Sequence, residues 1–236
     1  MKRFLSLSLA VLMLLSFTAC GESKRSSKKE SESIDSTTEA QTINPMSEPT
    51  TITLPLHETI TFGKLTDISY ENEYFGFGIE VPSNLSTKAI SEIATLNNTD
   101  ADTIQNNFES VAGNMHAGYL FYSIDDNTGN NISVTIENLD LFNDQNMTPE
   151  KYLKTSEPLI KQVYANMGAT NIDIEISTVN IGNNTYDCLA SVFNIDGEET
   201  DQLIVVIQKD HYLAVITFTI LNLDTFGYLD EYFYSL

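Results

Sequence analysis

Between residues 172 and 220 the chain alternates apolar stretches with tight turns, and this constrains its fold more than any other feature. Ile172, Ile174 and Ile176 alternate with Asp173 and Glu175, the period of a half-buried strand. The alternation changes phase before Val179 and Ile181, which predicts a bulge or bend near Thr178. Gly182-Asn183-Asn184 turns the chain into a strand over 185–194. Asp196-Gly197 is a strong hairpin signal. Leu203 to Ile207 is apolar at every position, as in a central strand covered on both faces. Lys209-Asp210 marks another tight turn, and 211–220 the last strand. Links this short join antiparallel neighbours only, because a parallel return needs a dozen or more residues. The four strands are therefore expected to form a meander.

Upstream, Phe75, Phe77, Ile79 and Val81 alternate with Gly76, Gly78 and Glu80, and Pro82 ends that strand. Helical spacing follows over 88–97 and 100–112, with Ala89, Ile93 and Leu96, then Ile104, Phe108 and Val111, at i, i+4, i+7. Asn97-Asn98-Thr99-Asp100 supplies a break and a cap. Gly113 occupies the position a left-handed helix cap wants. Residues 115–124 and the alternation of Ile132, Val134 and Ile136 with Ser133, Thr135 and Glu137 predict a hairpin around the cluster 125–130. Thr148-Pro149 opens a helix over about 149–167. Pro158 is expected to kink or restart it, and Gly168 to end it. Phe226, Leu229, Tyr232 and Phe233 fall at helical steps, predicting a terminal helix within 223–235. Helices segregated onto an antiparallel sheet make an α+β domain, an antiparallel β-sheet flanked by helices.

The segment Tyr74-Phe75-Gly76-Phe77-Gly78-Ile79-Glu80-Val81-Pro82 resembles the opening strand of PsbP-like domains, aromatic–Gly–Phe–x–Ile–x–x–Pro. Ser83-Asn84-Leu85 stands where that family usually carries Gly-Trp. Val134-Thr135-Ile136-Glu137-Asn138 and the closing meander are similar as well. The resemblance covers most of 65–236 and implies a PsbP-like α-β-α sandwich. It implies no shared catalytic set, so it assigns no functional residue.

The N-terminus carries a different message. Lys2 and Arg3 precede an uncharged, Leu-rich stretch from Phe4 to Ala19. That is shorter than the ~20 residues of a comfortable membrane span and suits a signal peptide. Phe17-Thr18-Ala19-Cys20-Gly21 resembles the bacterial lipobox. The resemblance implies that residues 1–19 are removed and that Cys20 becomes a lipidated N-terminus. The membrane is then itself a partner, held through the anchor at Cys20, since two acyl chains hold stably where one does not. The expected location is the cell membrane, facing the extracytoplasmic side. Residues 20–64 read as anchor and disordered tether, rich in Ser, Thr, Glu and Lys, and 65–236 as a single domain.

The formal charge is -21 over 236 residues, and residues 64–236 hold six Lys against 26 acids. Such a surface excludes nucleic acid and anionic headgroups as the domain's main partner, because both require a basic face. It favours a basic envelope protein or a partner bridged by cations. His57, His116 and His211 are too far apart in sequence for a local zinc motif. Cys188 is either a small strand residue or a nucleophile, if folding brings His116 or His211 to it. Asp125, Asp126 and Asn127 in one loop, and Asp196, Glu198 and Asp201 in another, are either hydrophilic turns or weak calcium sites. Tyr119, Phe121 and Tyr122, with Tyr228, Tyr232, Phe233 and Tyr234, are either core or an exposed binding patch. No cofactor is expected. These features favour a non-enzymatic lipid-anchored domain that binds or assists another envelope component. A small secreted hydrolase with a site around Cys188 and His116, and a weak calcium-binding module, are the alternatives.

Overall fold

The computed structural model describes residues 58–142, 146–221 and 232–236. Among these residues, strands β1 (Lys64–Leu65), β2 (Ser69–Asn72), β3 (Phe77–Glu80) and β4 (Ser86–Thr87) come first. Helices α1 (Ile90–Leu96), α2 (Ala101–Asn106) and α3 (Phe108–Asn114) follow, then β5 (Ala117–Ile124) and β6 (Asn131–Asn138). A 3-10 turn at Leu139–Leu141 leads towards α4 (Pro149–Asn166). The meander is β7 (Thr170–Ile181), β8 (Asn184–Ile195), β9 (Glu198–Lys209) and β10 (Tyr212–Leu221), and β11 (Phe233–Ser235) closes the chain.

The strands form two antiparallel sheets. The larger runs β4-β5-β6-β10-β9-β8-β7 and the smaller β1-β2-β3-β11. The α+β expectation therefore holds. The meander forms as its turns require. Asp196 and Gly197 both take positive φ, 54° and 91°, the pair a type I′ hairpin needs.

Two cores lie on the two faces of the large sheet, and β9 shows why its run of apolar residues is continuous. Val205 and Ile207 join the core shared with the small sheet and α1–α3. Ile204 and Val206 join the core beneath α4. Successive side chains point to opposite faces, so a strand buried on both faces needs an apolar residue at every position.

Several boundaries differ from expectation. Ile60 and Phe62 are buried in the first core, so the packed chain begins before residue 65. Tyr74, Phe75 and Gly76 lie in the β2–β3 turn rather than in the strand. There the Asn72 side-chain oxygen accepts from the Phe75 N–H at 3.1 Å. Residues 100–112 form two short helices, not one. Gly113 lies inside α3 and is no cap. The predicted bulge near Thr178 is absent, and β7 pairs with β8 without a break from Asp173 to Ile181. The irregularity falls instead between Thr170 and Asp173, where Asn171 takes φ 52°. Helix α4 runs through Pro158 without restarting. This proline lies on the exposed side of the helix, where water can satisfy the carbonyl that its missing N–H leaves free.

The predicted terminal helix is corrected at its end. Phe233–Ser235 is a strand paired with β3, and residues 222–231 lie outside the described residues. Phe233 packs against Phe77 and Phe218, with ring centroids 5.2 and 6.2 Å away. Tyr234 lies across from Gly78, where any side chain would collide with its ring. That absent side chain lets Tyr234 reach over β3 and donate to Glu71 Oε1 on β2 at 3.1 Å.

Candidate functional site

The sheet register decides which predicted residues meet. His116 precedes β5 and Cys188 lies on β8, four strand positions apart in the order β5-β6-β10-β9-β8. At about 4.8 Å per strand that is about 19 Å. His211 sits in the β9–β10 turn beyond Lys209, which is four residues along β9 from Val205, the residue opposite Cys188. At about 3.3 Å per residue that places it more than about 13 Å away. The alternative of a hydrolase site around Cys188 and His116 is therefore not assembled. Cys188 is buried, and burial, followed by the nearby Asp187 carboxylate, pushes its thiol up. This is the opposite of an activated nucleophile. His116 is exposed. His211 lies against Tyr212, the ring centroids 4.1 Å apart and the planes tilted by 42°, with Asp140 Oδ2 3.9 Å from its Nε2.

The two acidic loops do not gather ligands. Asp125 is committed to its own turn. Its Oδ1 accepts from the Asn127 N–H at 2.8 Å and its Oδ2 from the Thr128 hydroxyl at 2.9 Å. Those bonds, the backbone one first, hold its carboxyl below the usual range. A cleft of about 570 Å³ lies beside this turn, lined by Glu80, Val81, Pro82, Ser83, Asn84, Asp125, Thr128 and Tyr232. In the second loop Asp196 is a turn residue. Glu198 pairs with Ile195 and Asp201 with Val192, three residues apart along β9, so they point to opposite faces. Among the described residues, no three His, Cys, Asp or Glu side chains converge as a metal site. Tyr119, Phe121, Tyr122 and Phe233 are core. Cys20, His57 and Tyr228 lie outside the described residues.

What the fold does assemble is an acidic sheet face that sequence spacing did not single out. Seven acids and no base occur between Lys161 and Lys209. Val192 on β8 is directly flanked by Asp173 on β7 and Asp201 on β9. One step along, Ala190 is flanked by Glu175 and Leu203; one step the other way, Asn194 is opposite Glu199. Directly opposed residues share a face. Asp173, Glu175, Glu199 and Asp201 therefore border a strip containing Ala190 and Val192. The strip is open to solvent: Val192 is 41% exposed, one of the few large apolar side chains so placed among the described residues. Asp173 and Asp201 stand about 10 Å apart across it, two strand spacings. Partial burial, and then the neighbouring Glu199 carboxylate, push the Asp201 carboxyl up. Lys209, at the far end of β9, is paired with Glu58 and sits over the Tyr74 ring. The signal that could have found this face is the pairing of charge-bearing alternation in β7 with the β9 acids. It requires the register.

A buried feature lies under α4. Glu137 on β6 is 1% exposed and accepts the Tyr152 hydroxyl at 2.6 Å through Oε1. Its Oε2 finds no hydrogen-bond partner among the described residues. Burial pushes the Glu137 carboxyl up to about 7, against the smaller lowering effect of the Tyr152 bond.

No family model matches the chain, and no curated protein matches it. It is similar to a solved structure from Bacteroides thetaiotaomicron VPI-5482, at 12% identity and a TM-score of 0.32. That likeness covers 73% of this chain and 49% of the other, so the chain spans about half the neighbour's length. A likeness at this score carries no argument about fold or activity. No described helix is long and apolar enough to cross a membrane.

Proposed function

We propose that this chain is a lipid-anchored extracytoplasmic domain of PsbP-like fold that is not an enzyme. In this reading it binds a basic component of the envelope through the open face of β7–β9. The observation that carries the reading is the strip around Val192, an apolar floor between two rows of carboxylates. A Lys or Arg side chain suits such a strip. Its aliphatic stem covers Val192 and Ala190, and its cationic head lies between carboxylates. The opening motif and the α+β topology support the PsbP-like assignment. The lipobox supports the anchor at Cys20, and the acidic domain would stand off from anionic headgroups.

Capture from envelope extract on the full mature chain in detergent tests this reading. A basic protein should be retained at low salt and released as the screening length falls from about 10 Å at 0.1 M to about 3 Å at 1 M. Replacing Asp173 and Asp201 together by Asn should abolish retention. Retention that is indifferent to salt and to both substitutions overturns the proposal.

A further inference from the structure

β7 is the last strand of the large sheet. At 12 residues it is long for an edge. Natural sheets protect such edges with charged side chains, Pro, bulges or short strands, and the charges on β7 are Asp173 and Glu175, both acidic. From Thr170 to Ile181 there is no Pro and no Lys, and the pairing is regular from Asp173 onward. Among the described residues no strand pairs with its outer side. Thr170, Asn171, Asp173, Glu175, Ser177, Thr178 and Asn180 are exposed.

The two faces of this edge differ in chemistry. Ile172, Ile174 and Ile176 pack only partly against the core beneath α4, so part of each apolar side chain stays open at the sheet's rim. Asp173 and Glu175 project to the other face. We propose that the edge of β7 over Ile172–Thr178 accepts an added strand from a partner protein whose residues alternate between basic and apolar. The partner's backbone would continue the ladder. Its apolar side chains would cover the outer flanks of Ile172, Ile174 and Ile176. Its cations would meet Asp173 and Glu175.

Charge decides between occupants. A second copy paired antiparallel through β7 would set two carboxylates of each copy into one cross-strand row, and like charges directly opposed are destabilising. The chain's own Lys24-Arg25-Ser26-Ser27-Lys28-Lys29 has cations but no apolar residue to alternate with them. The inference rests on the basic-partner reading above and adds the mode of binding.

The test uses the full mature chain in detergent and three synthetic peptides of about ten residues. One alternates Arg with Val, one carries the same residues in separate blocks, and one is the alternating peptide N-methylated along one edge. The alternating peptide should bind, and its amide-exchange protection should fall on β7. Both controls should bind about tenfold or more weakly. Asp173→Asn with Glu175→Gln should weaken the alternating peptide and flatten its salt dependence. If all three peptides bind alike and release with salt, the added strand is refuted while the acidic face stands. If none binds and no basic protein is captured from extract, both readings fail. A dimer in sedimentation that the alternating peptide cannot dissociate would assign the edge to a second copy and overturn the proposal.

Discussion

Glu137 makes the stability of this domain depend on pH in a direction opposite to that of a salt-bridged carboxylate. It lies on β6 with Ala117 of β5 and Leu213 of β10 as its direct cross-strand neighbours, and Tyr152 of α4 is its hydrogen-bond donor. Burial raises its carboxyl from the ordinary 4.5 to about 7. Between those values the folded chain keeps this proton while the unfolded chain has released it. Folding then takes up a proton, and the contribution is lost as pH rises through the window. Below about 4.5 the side chain costs nothing by ionisation; above about 7 the full penalty applies. A rise from 4.5 to about 7, at 1.36 kcal/mol per unit, makes that penalty about 3 kcal/mol. That is a large part of the 5–15 kcal/mol typical of a domain, in round terms about a third. Glu137→Gln keeps an acceptor for Tyr152 and removes the titration. Urea unfolding from about pH 4 to about pH 8 should show wild type losing about 3 kcal/mol relative to the variant. The variant carries a constant offset from its extra amide donor, so the decisive quantity is the change in the difference with pH. A difference that stays within about 0.5 kcal/mol across the range would refute the reasoning.

Two further outcomes follow from the packing of Gly78 and Cys188, and a third from the proposed anchor at Cys20. Gly78→Ala should drive the Tyr234 ring off β3 and break its bond to Glu71; thermal unfolding should show a loss of about 1–3 kcal/mol, typical of overpacking. Cys188 should react with a thiol reagent only slowly in the native state, and denaturant should speed labelling markedly, since the thiol is buried and its deprotonation is disfavoured; fast native labelling would contradict its placement. Cys20→Ser should release the protein from the membrane fraction if the lipid anchor proposed at Cys20 holds it there, and fractionation with a lipid-labelling assay reads this directly.

Alternation and turn chemistry made the meander legible. Asp196-Gly197 could be read as a hairpin because only certain residues accept left-handed backbone at both turn positions. The Leu203–Ile207 run could be read as a central strand for the reason its burial now shows, a core on each face. Helix ends were harder. Pro158 would break an interior turn, yet its exposed position leaves water as the substitute partner. Phe233 fits helical spacing, but Phe77 and Phe218 draw it into a strand, with Tyr234 across from Gly78, and those partners lie far away in sequence.

The residues of the acidic strip were visible only singly. Asp173 and Glu175 looked like the polar half of one strand, and Asp201 like part of a turn cluster with Asp196 and Glu198. Strand alternation in fact sends Glu198 and Asp201 to opposite faces, and register sets Asp201 and Asp173 on either side of Val192. The same distinction applies to Cys188 and His116, which composition allows to meet and the strand order keeps apart. Sequence by itself determined the strand periods, the turns and the excess of negative charge, because these depend on neighbours along the chain. Only the tertiary structure decided which carboxylates share a surface, which one is buried, and which strand lies at the edge of the large sheet. Those depend on the order and register of strands, and register is set by packing across the sheet.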